Sequence, residues 1–249
     1  MNGTSAPPGY ESFLVGRAQV VARSAVAGDV RVAMSGGTLH DWASRVPGAR
    51  AMHGRGTTWA TALPGGLEIA VRHSRHGGLL APLTGDRFLR PTRAPAELAA
   101  SLRLAEGGVT TPEVVAYAVY PAGGPFARAD VATRFLAGAT LPDAWRATAT
   151  EPARWALIGV LARLLASLAA VGARHPDLNA KNVLVLDGAQ TAAVLDVDRV
   201  TFASPGDRVT AELNVDRLLH SMAKLHVGWG VNLTARQVQQ LRGAAGGAA

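Results

Sequence analysis

The run His175-Pro176-Asp177-Leu178-Asn179-Ala180-Lys181-Asn182-Val183-Leu184-Val185, followed by Val194-Leu195-Asp196-Val197-Asp198, decides how this chain is read. Upstream, Trp155–Ala173 is almost wholly apolar, with only Arg163 charged and Ser167 polar. About 20 apolar residues can span a bilayer. However, Ala and Gly fill much of this stretch, and Leu157, Leu161, Leu164, Leu165, Leu168 and Val171 recur at helical spacing. Pro152 suits a first turn and Gly172 a C-terminal stop. The segment therefore reads as a buried core helix, Ala153–Val171, that ends in a polar loop, His175–Asn182. Two short strands, Val183–Leu186 and Ala192–Leu195, turn at Asp187-Gly188 and return the chain. Asp196 sits where the second strand runs out, so Asp177, Asn182 and Asp196 are expected around one small volume.

That set suits phosphoryl transfer from ATP. Hard Mg²⁺ takes oxygen ligands from carboxylates, amides, phosphates and water. Asn182 and Asp196 are the candidate metal pair. Asp177 is the candidate catalytic carboxylate, which orients an acceptor hydroxyl and takes its proton. Transfer is mostly positioning and charge neutralisation, so few other groups are required. The bland reading of the same residues is a polar loop with a capping Asp and a turn Asn.

Composition narrows the alternatives. The chain has 249 residues, no Cys, 28 Gly and 14 Pro. Disulfide scaffolds, Cys-ligated zinc, iron–sulfur clusters and Cys nucleophiles are excluded. There is no Walker-type G-x-x-x-x-G-K-[ST] run. Met1–Ser12 is polar, without the apolar core of a secretory signal, which fits the cytoplasm. The hydrophobic fraction is 48%, but Ile occurs only at 69 and 158, so the core is Leu, Val and Ala. Net charge is +7, and only Lys181 and Lys224 among the 25 cations are not Arg. Arg, Ala, Gly and Pro without Lys or Ile read first as a GC-rich coding sequence and only then as a nucleic-acid footprint.

Along the chain a β-rich half precedes an α-rich half. Phe13-Leu14-Val15, Val20-Val21 and Val30-Arg31-Val32 suggest short strands, and Thr38 with Asp41 can cap a short helix. His53-Gly54-Arg55-Gly56-Thr57-Thr58-Trp59 enters a hairpin around Pro64-Gly65-Gly66, and Leu67–Arg72 returns it. Ala94–Glu106 has helical spacing, Val114–Tyr120 and Ala129–Leu136 read as strands, and Glu212–Val227 and Thr234–Leu241 as helices. The expected class is α+β: an N-lobe over 1–137, a C-lobe over 138–242 and a flexible tail over 243–249. The N-lobe is expected to be a small antiparallel sheet with one helix, and the C-lobe to be mainly helical.

Arg72 ends the third predicted strand and Glu97 lies on the next helix. No Lys precedes 181, so Arg72 supported by Glu97 is the candidate phosphate-binding cation. A solvated strand-end Arg and a surface Glu are the alternative. Gly54 and Gly56 can bring backbone N–H groups close to phosphate, or simply make a hairpin turn. His73 and His76 have H-x-x-H spacing, a poor metal pair without a third ligand. The stretch 72–93 holds five Arg and one acid, Asp86. It reads as a solvated surface or as a site for an anionic acceptor or membrane phosphates.

The loop H-x-D-x-x-x-x-N with an Asp fourteen residues later resembles the protein-kinase-like superfamily. Asn179 stands where many Ser/Thr kinases have Lys, and His-Pro-Asp-Leu-Asn-Ala-Lys-Asn resembles the loop of the lipopolysaccharide kinases, above all Kdo kinase. Gly54-Arg-Gly56-Thr-Thr-Trp59, Arg72-His-Ser-Arg75-His76-Gly77-Gly78, Asp86-Arg87-Phe88, Leu195-Asp196-Val-Asp198-Arg199 and Asn214–Lys224 resemble further segments of that family, from about 53 to 226. His76, Ser74 and Val197 depart from the family's Arg, Tyr and aromatic residue. The resemblance implies a bilobal kinase-like fold with ATP·Mg²⁺ between the lobes and adenine against Phe135–Gly138. It also implies transfer to the hydroxyl on the fourth carbon of Kdo (3-deoxy-D-manno-octulosonic acid) on a lipid A precursor. The enzyme would then be cytoplasmic and peripheral at the inner-membrane face, with an anionic glycolipid as acceptor and no nucleic acid as partner. Another sugar or small-molecule kinase of this fold (heptose or aminoglycoside type), a pseudokinase and an Arg-rich nucleic-acid binder are the alternatives. Asp130, on the strand before the hinge, also resembles a family position.

Overall fold

Alternating small and branched apolar residues in the first half do what a pleated strand requires, sending every second side chain to one face. The computed structural model describes residues 6–53, 56–74, 86–186, 191–225 and 230–245. Two units share the chain: Met1–Leu98 with Glu113–Phe135, and Ala99–Pro112 with Leu136–Ala249.

Among the described residues, the first unit holds one eight-stranded antiparallel sheet. Its strands are β1 (Tyr10–Val15), β2 (Ala18–Arg23), β3 (Arg50–His53), β4 (Thr57–Ala62), β5 (Glu68–His73), β6 (Phe88–Leu89), β7 (Val114–Pro121) and β8 (Phe126–Arg134). The order is β1-β2-β7-β8-β5-β4-β3, with β6 paired to β8. On β5, Ile69 and Val71 face a core that includes Val20, Ala22, Ala116, Ala118 and Ala132. Period two puts His73 on that same face and Arg72 on the other. Two short helices, α1 (Ala27–Ala33) and α2 (Leu39–Arg45), cover the core face through Val30, Ala33, Leu39 and Ala43. Thr38 caps α2, its Oγ1 accepting from Asp41 N at 3.0 Å.

Val30-Arg31-Val32 is not the strand that its alternation suggests; it lies in α1. Ala27, Val30 and Ala33 are buried, whereas Val32 is 61% exposed. The buried positions are three apart, so the period is that of a helix. Three residues of alternation were too short to tell the two periods apart.

A further helix, α3 (Ala94–Glu106), contributes residues to both units. The second unit continues with β9 (Gly138–Thr140), α4 (Leu141–Ala147), α5 (Glu151–Ala170), β10 (Ala173–Arg174), β11 (Val183–Leu186), β12 (Ala192–Val194), β13 (Thr201–Phe202), α6 (Arg208–Lys224) and α7 (Ala235–Ala245). Helix α5 begins at a Thr150 cap with Pro in its first turn. By length and composition α5 could cross a membrane. Here Leu157, Ile158, Leu161, Leu165 and Leu168 bury against Trp145, Leu178, Leu218, Met222 and Leu241. Each such fully buried side chain contributes roughly 1.5–3 kcal/mol. Gly172 follows α5 at φ 64°, and a Cβ there would collide with the carbonyl oxygens of Ala203 and Ser204. Only glycine fits that conformation and that gap. The chain can therefore leave the core helix sharply, run through β10 and enter the polar loop.

Candidate functional site

In the second unit the loop after β10 is pinned by its own backbone and by α6. His175 N donates to Asn214 Oδ1 at 2.9 Å, and Asn214 Nδ2 donates to Ala173 O at 2.7 Å. Asn214 is 1% exposed, so both ends of a buried amide are satisfied. His175 Nε2 lies 2.9 Å from the Leu195 carbonyl, which can only accept, so this nitrogen carries the proton. That bond ties the start of the loop to the residue before Asp196. Asn179 caps the turn Ala180–Asn182, its Oδ1 accepting from Lys181 N and Asn182 N at 3.0 and 3.2 Å.

The three loop candidates come together on this frame. Asn182 Nδ2 donates to Asp177 O at 2.9 Å. Leu195 N donates to Asn182 O at 2.8 Å, which sets Asp196 beside Asn182. Asp196 has φ 60° and ψ 54°, and among the described residues it is the one non-glycine with positive φ. A left-handed residue costs roughly 1–2 kcal/mol, least for Asp and Asn. Such strain persists where the surroundings over-determine it, and it clusters at functional sites. The donor set is one carboxylate, one amide and a second carboxylate. With the Asn182 amide nitrogen committed to the Asp177 carbonyl, its oxygen is the end left for a cation. Oxygen donors of this kind fit a hard divalent ion that takes its other ligands from phosphate and water. Asp177 Oδ1 also accepts from Arg217 Nη2 of α6 at 2.7 Å and from Asn179 Nδ2 at 3.3 Å. Asp198 lies on the turn Val197–Arg199 just beyond.

In the first unit Arg72 and Glu97 form an ion pair. The Glu97 side chain is 5% exposed and that of Arg72 is 29% exposed. Burial of the carboxylate makes the pair matter more than a surface bridge. Gly56 immediately precedes β4; Gly54, Arg75, His76, Gly77 and Gly78 lie outside the described residues.

On the opposite face of β5, His73 lies between two carboxylates. Its Nδ1 is 2.6 Å from Asp130 Oδ1 and its Nε2 is 3.1 Å from Asp86 Oδ2. Asp130 is fully buried, and its Oδ2 also accepts from Tyr120 OH and from His40 N, each at 2.9 Å. Tyr120 OH in turn accepts from Leu39 N at 2.9 Å. The Asp130 hydrogen bond raises the His73 pKa above its ordinary value, against burial, and Asp86 adds to the rise. Burial alone would raise the Asp86 carboxyl, but His73 and Arg128 hold it below its ordinary value. Burial first, then Asp130, pushes the Tyr120 phenol well above the tyrosine range, so it remains a donor. His73 is thus an ion-pair centre; His76, the other half of the H-x-x-H spacing, lies outside the described residues.

Sequence reasoning did not single out Arg217, Asn214, Ser221 or the His73–Asp130–Tyr120 set as partners. A signal was present for the first three, because Asn214–Lys224 carries a family-like pattern with those residues on one helical face.

A family model described as lipopolysaccharide kinase (Kdo/WaaP) matches residues 40–244. A 3-deoxy-D-manno-octulosonic acid kinase of Vibrio vulnificus (strain YJ016) is 33% identical over 194 residues, 76% of this chain and 78% of that protein. The protein of the same name from Stenotrophomonas maltophilia (strain K279a) is 31% identical over 193 residues, 76% of this chain and 75% of that protein. Among solved structures, WaaP in complex with acyl carrier protein superposes with a TM-score of 0.56 at 19% identity, covering 89% of this chain and 86% of that one. That likeness extends to the fold, which is the protein-kinase-like one expected.

Proposed function

Because this chain belongs to the lipopolysaccharide kinase (Kdo/WaaP) family, we propose that it transfers the γ-phosphoryl group of ATP to the hydroxyl on the fourth carbon of Kdo in a lipid A precursor. The observation that carries the proposal is the loop in which Asp177, Asn182 and the left-handed Asp196 are joined through Asn182. In the proposed step the acceptor oxygen forms a bond to the γ-phosphorus while the bond from phosphorus to the ADP oxygen breaks. The hydroxyl proton passes to Asp177. Asn182 and Asp196 would hold Mg²⁺, which supplies charge neutralisation on the phosphate oxygens. Arg72, kept in place by buried Glu97, neutralises nucleotide phosphates, with Gly54 and Gly56 as further cofactor-binding candidates. Arg suits this role because its fork binds phosphate oxygens in pairs.

A lipid-borne acceptor requires the enzyme to work at a membrane, here the cytoplasmic face of the inner membrane. Leu89 and Phe126 support this. They pair in register across β6 and β8, and they are 64% and 40% exposed. Arg87, Arg90 and Arg93 beside them are exposed. Apolar side chains rimmed by Arg suit an anionic lipid surface.

The test is transfer of labelled phosphate from ATP to a Kdo–lipid A acceptor by wild type and Asp177→Ala. Removing a general base is expected to cost about 10²–10⁴-fold in rate. Equal incorporation by both would remove Asp177 from the mechanism. Transfer to heptose or an aminoglycoside, with none to Kdo, would replace the acceptor.

A further inference from the structure

Helix α6 touches the catalytic loop through three side chains on one face, Asn214, Arg217 and Ser221, spaced three and four apart. Asn214 engages Ala173 O and His175 N. Ser221 Oγ accepts from Ala180 N at 3.0 Å. Both contacts are to backbone, and they fix the path of the loop on either side of Asp177. Arg217 differs, because its Nη2 donates to the Asp177 carboxylate itself at 2.7 Å. The pair is partly open, with side chains 36% and 30% exposed. Anchoring the loop does not require a third contact made by a long, half-exposed, charged side chain.

The loop has a gap that Arg217 can fill. Two residues after Asp177 stands Asn179, which carries no charge; its Oδ1 caps its own turn, and its Nδ2 reaches Asp177 Oδ1 only at 3.3 Å, against 2.7 Å for Arg217. Lys181, a cation within the loop, is exposed. A cation on Asp177 comes instead from a helix forty residues away in sequence. A hydrogen bond to one carboxylate oxygen fixes the rotation of the whole planar group, and so fixes where its other oxygen points.

We propose that Arg217 is a positioning residue for the transfer. It aims the Asp177 carboxylate at the acceptor hydroxyl and supplies from α6 the positive charge that the loop lacks at position 179. The inference rests on the reading of Asp177 as the base.

The experiment compares wild type, Arg217→Ala, Arg217→Lys, Asp177→Ala and the Arg217→Ala/Asp177→Ala double variant, each measured for kcat, for KM of ATP and by thermal melting. Misplacement of a reacting group by about 1 Å can cost about 100-fold. Arg217→Ala is therefore expected to lose about 10–100-fold in kcat, with KM for ATP and the melting temperature little changed. Arg217→Lys is expected to fall between, and added guanidinium to restore part of the rate of Arg217→Ala but none of Asp177→Ala. If Arg217 acts through Asp177, the double variant is no slower than Asp177→Ala alone. A kcat for Arg217→Ala within about twofold of wild type, additive losses in the double variant, or a loss that only follows the melting temperature would each overturn the proposal. Acceptor-free ATP hydrolysis by the same five proteins keeps the two readings apart. If Kdo is not the acceptor, the Arg217–Asp177 coupling still appears there. If Asp177→Ala loses no rate on either reaction, the reading of Asp177 itself has failed.

Discussion

Asp130→Asn is the sharpest test of how the first unit is held together. The substitution keeps shape and volume, so no cavity forms. It removes the charge that faces the His73 ring and places an amide NH₂ at one of two oxygens that are surrounded only by donors. If Oδ1 keeps His73, the NH₂ faces Tyr120 OH and His40 N, which share Oδ2 at 2.9 Å each. Asp130 is 0% exposed, so water cannot repair the mismatch. Removing one partner of a buried ion pair costs about 3–5 kcal/mol, and for a chain of this length that is a fall of roughly 6–20 °C in Tm. The pH dependence follows from the His73 shift. Its folded pKa is raised above the ordinary 6.5. The stabilisation is therefore fully present below pH 6.5 and is lost as pH rises through the folded value. Asp86 works at the other end: its carboxyl is held low, so its share is lost as pH falls through the folded value. The ring centroid of His40 is 5.9 Å from that of His73, and Arg128 lies on Asp86. Calorimetric melts at pH 6 and pH 9 would measure the cost of the substitution and the His73 dependence, and melts below about pH 4 the Asp86 share. Wild type should lose more stability than Asp130→Asn between the first two values. An Asp130→Asn protein that melts within about 2 °C of wild type, less than 1 kcal/mol for this length, would refute the reasoning.

Glu97→Gln should leave Arg72 without its buried counter-charge and raise KM for ATP by about tenfold, the equivalent of about 1.4 kcal/mol. Initial rates across a range of ATP concentrations measure it, and an unchanged KM would separate Arg72 from the nucleotide. Leu89→Asp combined with Phe126→Asp should abolish co-sedimentation with anionic vesicles while detergent-dispersed acceptor is still phosphorylated. Retained sedimentation would move the membrane contact elsewhere on the protein.

Much of the second unit was legible because its signals are local. Helix α5 announces itself by leucines at helical spacing with Pro at the start and Gly past the end, and the hairpin after it by two short apolar runs. Asp177, Asn182 and Asp196 were nominated together because a helix end, a loop and a hairpin leave little freedom over twenty residues. Most strands of the first unit were legible, but Val30-Arg31-Val32 offered too few residues to show whether its period was two or three, and the short strands Arg50–His53 and Phe88–Leu89 carried no clear alternation of their own. Order along the sheet was not legible. Strand β2 lies beside β7, and β5 beside β8, pairings between segments far apart in the chain.

The sequence by itself determined most element types and the course of the polar loop, since backbone propensity, side-chain period and turn residues act within a few positions of one another. Apart from Arg72 with Glu97, a pair the sequence already suggested, tertiary structure alone decided which charges meet. Arg217 reaches Asp177 across 40 residues, and His73 reaches Asp130 across 57. No spacing rule specifies such pairs. They arise where packing of apolar faces brings two polar side chains out of water together, and a buried charge must then find its partner there or be lost.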